Sequence, residues 1–453
     1  MTQLLKRIRN FASTQPHAIA LCIDERQLDY MTLQQQIKHQ AERLPKACQG
    51  QRIALVFNEI QDFVVSYLAV LHKGGIPCVI DPKWTNERRQ AIYERYHIGY
   101  IFNDTGIEPT LFKCELDPNT CLHIGFTSGT TGLPKAFFRN EASWIASFEQ
   151  NETLLQSEGA NNQYTFIALG PYAHSLTLYV IIYALFYGRT FMGQNRYDIQ
   201  QCIKRMASKW TSCVLFLVPT MAHDWVLQPH QNEHVTHVFI SGDKLSTQLH
   251  KQLKAQLPFA TIDEFFGTSE ASFISVNRNQ TAPLNSVGTI FPNVDIHIDH
   301  PDAKGIGKLF VNSPMVFQGY VGQPQHVWIE TGDYARVDNG VLYLHGRIED
   351  MMIIGGRNVY PSVVEHYIKK MEGIKDAIIV KQPHSKFGEL AVALYIGTRT
   401  FHYQTMRQQL TKVLSRYEIP SKFVRVTTLP YTSSGKVSRR LAQQMYESGD
   451  YDE

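Results

Sequence analysis

Apolar residues recur along the first third of the chain in two alternating periods. Arg52 to Phe57 is a short continuous apolar run, the pattern of a strand covered on both faces. Ile60 to Lys73 carries apolar residues at helical spacing and stops at Gly74-Gly75. Ile76 to Ile80 is a second run, closed by Asp81-Pro82. Glu87 to Tyr96 reads as a helix and Ile98 to Phe102 as a third strand. This βαβ alternation predicts a parallel sheet covered by helices, an α/β fold.

Further strands are expected at Cys121 to Phe126, Thr165 to Leu169, Val214 to Val218, Val238 to Ser241 and Thr261 to Phe266. Ser175 to Phe186 is apolar almost all round, as a buried helix is. The strands end in polar or glycine-containing turns, among them Gly242-Asp243 and Gly267-Thr268-Ser269-Glu270. In open α/β sheets ligands bind beyond such strand ends.

From about Ser286 the texture changes. Short β-like runs (Val294 to Ile298, Lys308 to Asn312, Ala335 to Val337, Val341 to Leu344) are separated by turns such as Asp338-Asn339-Gly340. They predict a small antiparallel sheet or barrel. After Gly346-Arg347 helical and strand patterns mix again, from Tyr360 to Met371 through Phe401 to Arg416 and Val437 to Tyr446. That segment, about a hundred residues, is long enough for a small α+β domain. The expected layout is a large α/β domain with mixed or parallel sheets and a β-barrel-like part over residues 1–346, followed by a small C-terminal domain over 347–453.

Composition adds limits rather than detail. Hydrophobic residues make up 43% and charged residues 19%, which supports a large folded core. A net charge of +3 gives no basis for nucleic-acid binding or a polybasic membrane surface. The seven cysteines contain no Cys-x-x-Cys pair, which fits reduced thiols and neither a disulfide frame nor a zinc site. The longest apolar stretch, Leu176 to Tyr187, is too short to span a bilayer. A cytoplasmic protein without stable membrane insertion is expected.

The chemistry concentrates in a few strings. Thr127-Ser128-Gly129-Thr130-Thr131-Gly132-Leu133-Pro134-Lys135 places hydroxyls, glycines and a lysine after a strand, which suits phosphates. Leu133-Pro134 separates Gly132 from Lys135, so it is not a Walker loop. The same composition also suits a flexible surface loop. Phe266-Gly267-Thr268-Ser269-Glu270 offers an aromatic for a base, a hydroxyl for phosphate and a carboxylate for Mg²⁺, or else a strand end with a helix cap. Thr331-Gly332-Asp333 offers a carboxylate for ribose hydroxyls, or an Asx turn. Arg347 suits a ribose, a phosphate or a structural ion pair, and His174 a core histidine or a pocket wall. Thr432-Ser433-Ser434-Gly435-Lys436 is a hydroxyl-rich loop with one lysine.

In combination and in order these strings resemble the adenylate-forming superfamily of acyl-CoA ligases, carrier-protein adenylation domains and luciferases. Tyr30-Met31-Thr32-Leu33, Lys73-Gly74-Gly75, Gly319-Tyr320, Gly346-Arg347-Ile348-Glu349-Asp350 and Gly355-Gly356-Arg357-Asn358-Val359-Tyr360-Pro361 extend the match. The resemblance implies ATP, Mg²⁺ and coenzyme A. It implies that Thr127 to Lys135 holds the β- and γ-phosphates, that Phe266 stacks on adenine within the Phe266-Gly267-Thr268-Ser269 wall, and that Ser269 touches the α-phosphate. Glu270 would hold Mg²⁺, Asp333 the ribose with support from Arg347, and Lys436 would bridge carboxylate and α-phosphate. Glu349 takes the hinge position about which the small domain rotates. His174 would lie beside the substrate carboxylate.

Amino-acid-activating members of the family it resembles place an Asp near the position of Ala173-His174 to pair the substrate amine; Pro171-Tyr172-Ala173-His174 offers no carboxylate, which disfavours an amino acid. Leu176, Tyr179 and Val180 favour an apolar pocket and hence a fatty or aryl acid, fatty acid first. The expected activity makes acyl-CoA, AMP and pyrophosphate. Rival readings are an enzyme that loads an acyl carrier protein and a non-catalytic nucleotide-binding protein. Ala136, Ser241 and Phe266 depart from the usual family residues without removing a charge.

Overall fold

The computed structural model describes residues 2–112, 121–127, 133–156, 164–209, 212–228, 231–283, 285–398, 400–431 and 437–451. They form two compact units. One comprises Met1–Pro283, Val287–Asp295 and Val311–Ile329; the other comprises Leu284–Ser286, Ile296–Phe310 and Glu330–Glu453.

The first unit contains a six-stranded sheet in the order Gly106–Pro109, Tyr100–Asn103, Arg52–Val56, Ile76–Val79, His123–Thr127, Lys135–Arg139. Its four central strands are parallel, and antiparallel hairpins close both edges. The helix Ile60–Lys73 forms where its periodicity predicts, and Gly74 ends it in the left-handed region (φ 80°) with its N–H on Val70 and Leu71 carbonyls. The third strand begins at Tyr100 rather than Ile98, because His97 adopts a positive φ of 49° in the preceding turn.

The second sheet of this unit runs Thr289–Ile290, Ser272–Arg278, Thr261–Thr268, Val235–Ser241, Cys213–Leu217, Thr165–Ala168, Thr190–Gly193, Ile19–Ile23, Arg26–Asp29. Its middle is parallel and buried on both faces, which explains the unbroken apolar runs. Alternation sorts the side chains. Leu215, Leu217, Val238, Ile240 and Ile262 join one core with Ile203, Trp225 and Leu253. Phe166, Phe216, Phe239, Phe265 and Phe273 face the other way, toward the helices Glu141–Gln156 and Ser175–Phe186.

In the second unit the strands Asp295–Asp299, Gly307–Asn312, Ile329–Asp338 and Val341–Arg347 lie side by side in that order. The last two form a hairpin turned by Asn339 and Gly340, both at positive φ (48° and 76°). A five-stranded sheet follows: Arg357–Val359, Met352–Ile354, Gly388–Gly397 and Ile374–His384, with Lys422–Arg425 beside Gly388–Gly397. One face packs on Val364, Ile368, Met406 and Leu410, the other on Ala442. The helix expected over 401–416 spans Tyr403–Leu410. Beyond it Thr411 bonds back to the Arg407 carbonyl and Ser415 N–H donates to Glu418, local bonds that compete with helix continuation.

Candidate active site

In the first unit the hairpin His123–Thr127/Lys135–Arg139 carries the phosphate-type string. Thr127 and Lys135 are register partners at its mouth. Tyr96 pins the returning arm, donating its hydroxyl to the Pro134 carbonyl (2.8 Å) and accepting from Ala136 N–H (3.2 Å). A Cβ at Gly125 would meet the Phe137 ring across the strand at 2.4 Å, so any side chain there would have to push that ring aside. Ser128, Gly129, Thr130, Thr131 and Gly132 lie outside the described residues, as does Lys436.

The turn after Thr261–Thr268 carries the second string. Gly267 is again a matter of space: a Cβ would lie 1.9 Å from the Ser272 carbonyl oxygen. Thr268 Oγ1 accepts from Ala271 N–H at 3.0 Å and tightens the turn. Phe266, Ser269 and Glu270 are each partly exposed.

Arg139, the last residue of the hairpin strand, locks this turn in place. Its side chain is 2% exposed. It donates to the Met315 carbonyl (2.8 Å), to Ser143 Oγ (3.2 Å), to the Ser269 carbonyl and to the Glu270 carbonyl (3.5 Å). Burial pulls its pKa down to about 10, only partly offset by the Glu270 charge. Phe317 N–H adds a 2.7 Å bond to the Glu270 carbonyl.

The Gly319-Tyr320 segment completes the cluster. It runs against the hairpin strand, with Phe138 N–H on the Gly319 carbonyl (3.0 Å) and Val321 N–H on the Ala136 carbonyl (2.9 Å). Tyr320 donates its hydroxyl to Glu270 Oε1 at 2.7 Å. Lys135 Nζ lies 5.4 Å from the Tyr320 ring centroid. Burial and the Glu270 charge both push the Tyr320 phenol up, so it stays a donor. Thr127, Lys135, Ser269 and Glu270 are thus brought together by Arg139 and Tyr320. Sequence reasoning missed Arg139; the signal available was one charge closing the apolar run Ala136-Phe137-Phe138.

His174 joins from the other side of the turn. It precedes the helix Ser175–Phe186, whose first-turn N–H groups receive no side-chain cap from it. Ser175 Oγ and Ser269 Oγ lie 3.3 Å apart. Burial lowers the His174 pKa, so the ring is neutral at pH 7. Tyr172 fixes the approach, donating to the Phe57 carbonyl (2.7 Å) and stacking on Phe63 at 3.8 Å.

In the second unit Asp333 and Arg347 are cross-strand partners. Asp333 is buried, and Arg347 Nε lies 3.2 Å from its Oδ1. Arg347 also donates to the Thr331 carbonyl (3.0 Å). Glu349 follows on the turn, and its neighbour Asp350 pairs with Arg439 Nε at 3.0 Å.

Among the described residues no group of three or more His, Cys, Asp or Glu could form a metal cage. That is no obstacle to Mg²⁺, which takes one or two carboxylates and completes its shell with water and substrate phosphates. Glu270, oriented by Tyr320 and partly exposed, fits that demand.

The chain belongs to the AMP-binding enzyme family, whose model matches residues 8–112 and 109–321. It is 45% identical, over all of both chains, to a Staphylococcus haemolyticus protein named putative long chain fatty acid-CoA ligase VraA. Its fold matches that of Bacillus subtilis o-succinylbenzoate CoA synthetase (MenE) solved with its acyl-adenylate intermediate, at TM-score 0.84 and 20% identity over 96% of this chain and 97% of that one. The same enzyme with ATP and magnesium ion gives 0.83 at 20% identity, covering 97% and 98%. Among the described residues no helix is long and apolar enough to cross a membrane.

Proposed function

We propose that this protein activates a fatty acid with ATP and passes the acyl group to the thiol of coenzyme A. The observation that carries the reading is the cluster in which Arg139 and Tyr320 fix Glu270 beside Lys135 and Ser269. It sets a carboxylate, an ammonium and a hydroxyl around one partly exposed turn, the donor set a nucleotide triphosphate with its cation requires.

Each residue then has a part. The Ser128 to Gly132 loop and Lys135 grip the β- and γ-phosphates, while Thr127 closes the hairpin beneath them. Phe266 stacks on adenine beside Gly267 and Thr268, and Ser269 meets the α-phosphate. Asp333, braced by Arg347, accepts the ribose hydroxyls. Glu270 would hold Mg²⁺, which when bound would supply charge neutralisation at the phosphates. The acid's carboxylate sits by His174 and the uncapped start of the helix Ser175–Phe186, which favours an anion. A neutral His174 leaves that carboxylate unprotonated and nucleophilic. It attacks the α-phosphorus in line and pyrophosphate leaves, with Lys436 countering the charge that develops. The chemistry needs positioning and charge stabilisation rather than a general base. In the second step the CoA thiol attacks the acyl carbonyl and AMP leaves. We read residues 347–453 as the small domain, with Glu349 as its hinge, and the protein as cytoplasmic.

Pyrophosphate release measured with ATP, Mg²⁺ and a panel of carboxylic acids, with and without CoA, tests this. Release on adding acid, with acyl-CoA formed only when CoA is present, is the expected result. Acyl transfer to a phosphopantetheinylated carrier but not to CoA would replace the acceptor. No release with any acid would overturn the reading.

A further inference from the structure

The helix that begins at Ser175 shows what lies behind the carboxylate position. Residues four apart share a helix face, so Ser175, Tyr179 and Tyr183 line up along it. Ser175 meets Ser269 at the start of this face. One turn further in, Tyr179 lies 5.3 Å, edge to face, from Phe273. Phe273 lies 4.5 Å from Phe265, which precedes Ser269 on the same chain segment. Deeper still, Tyr183 and Phe148 stack at 4.8 Å with planes 7° apart. Phe265, Phe273, Tyr179 and Tyr183 are each at most 8% exposed.

These rings are not free to swing aside. Asn151 Nδ2 donates to the Tyr179 hydroxyl at 2.9 Å. Tyr183 donates to Glu152 Oε1 at 2.5 Å, and Arg189 holds the same carboxylate through both terminal nitrogens (2.5 and 2.8 Å). Moving either tyrosine would break buried polar contacts of this network, which is costly. A long alkyl chain entering past Ser175 and Ser269 would have to displace rings packed at interior density.

Resting on the ligase reading above, we infer that this site takes a short carboxylic acid, with a tail of a few carbons. Tyr179, Phe265 and Phe273 set the limit. This chain's own packing sets that limit, whereas the relative 45% identical to it is named for long chains.

The test is kcat/KM for pyrophosphate release with butanoate, hexanoate, octanoate and hexadecanoate, using the full-length protein with ATP and Mg²⁺. Butanoate or hexanoate is expected to exceed hexadecanoate by about tenfold or more, the scale on which pockets discriminate by size. Phe265→Ala is expected to shift the preference toward octanoate. Should that variant fail to fold, as judged by its thermal melt, Phe273→Leu takes its place. A hexadecanoate value equal to or above that of hexanoate in the unmodified protein overturns the inference and leaves the ligase reading standing. An unmoved length profile in a folded variant overturns the assignment of the limiting rings. No turnover of any acid overturns the ligase reading and this inference with it.

Discussion

Arg139 in the first unit braces the turn of Ser269 and Glu270, Arg439 in the second braces the turn of Glu349 and Asp350, and the two are satisfied in opposite ways. Among the described residues Arg139 donates to neutral acceptors: the carbonyls of Met315, Ser269 and Glu270 and the Ser143 hydroxyl. Arg439 faces Glu365 on both terminal nitrogens (2.5 and 3.2 Å) and Asp350 on Nε (3.0 Å). Burial disfavours charge on both. It wins at Arg139, whose pKa falls to about 10; at Arg439 the two carboxylates outweigh it and raise the pKa. The first arginine is kept for geometry, because a planar fork of donors can tie several backbone carbonyls at once. The second belongs to a charge-paired cluster that ties Asp350 to the helix Pro361–Lys369 and to the Ile379 carbonyl (2.6 Å).

The comparison breaks first at the lysine three residues before Arg439. Lys436→Ala is expected to cut acyl-adenylate formation by about a hundredfold to a thousandfold, as loss of a charge at a reacting centre does. The thermal melt should stay within a few degrees. Unchanged pyrophosphate release would show that Lys436 serves no chemistry.

Replacing the arginines themselves sharpens the contrast. Arg139→Met, which strands neutral carbonyls, should cost about 1–3 kcal/mol in urea unfolding, and Arg439→Met, which strands two carboxylates, about 3–5 kcal/mol. The second loss is repairable: Arg439→Met combined with Glu365→Gln and Asp350→Asn removes the stranded charges and should recover most of the stability. No neutral side chain can repair the first, because backbone carbonyls cannot be mutated away. Equal repair at both sites would refute the distinction.

Acid should find the first unit before the second. His123 is 2% exposed, and burial, then Arg139⁺, lowers its pKa to about 3. The folded state therefore keeps it neutral while the unfolded chain protonates near its ordinary value of about 6.5. Below that pH the unfolded state binds the extra proton, so stability present above 6.5 drains away at about 1.4 kcal/mol per pH unit toward pH 3. His345 in the second unit is partly exposed and lowered only to about 4, mainly by burial, so its share is smaller. Urea midpoints at pH 7 and pH 4.5 should differ less for His123→Gln than for the unmodified protein.

These contrasts also separate what the chain shows locally from what it hides. The helices Ile60–Lys73 and Ser175–Phe186 stand where their apolar spacing puts them, because burial and a glycine stop act within a few residues. Glu270 and Asp333 could be picked out because each sits in a short string of residues with matching chemistry. Arg139 could not: its partners Ser269 and Met315 lie 130 and 176 residues away, and only the sheet order unites them. The strand Lys135–Arg139 was hidden too, since Pro134 precedes it and its pairing depends on the hairpin and on Gly319. Phe265 lies in an expected strand, and nothing in the sequence singles out Phe273. Their alignment behind Ser269 appears only when Tyr179 is set against them.

The smallest expected effect is the most diagnostic. Tyr320→Phe keeps the ring beside Lys135 and removes one hydroxyl from Glu270 Oε1. A hydrogen bond to a charged group contributes about 1.5–3 kcal/mol, part of which water recovers at a partly exposed carboxylate. The fold should be untouched, because Glu270 gains solvent rather than a buried void. What should move is the Mg²⁺ concentration at half-maximal pyrophosphate release, up by about tenfold for the loss of about 1.4 kcal/mol, with the rate at saturating Mg²⁺ nearly restored. That pattern marks a carboxylate that still binds the cation but is no longer held for it. A lowered rate at every Mg²⁺ concentration, with the half-point unmoved, would mean that Tyr320 supports the turn as a whole, as Arg139 does, and does not orient the carboxylate.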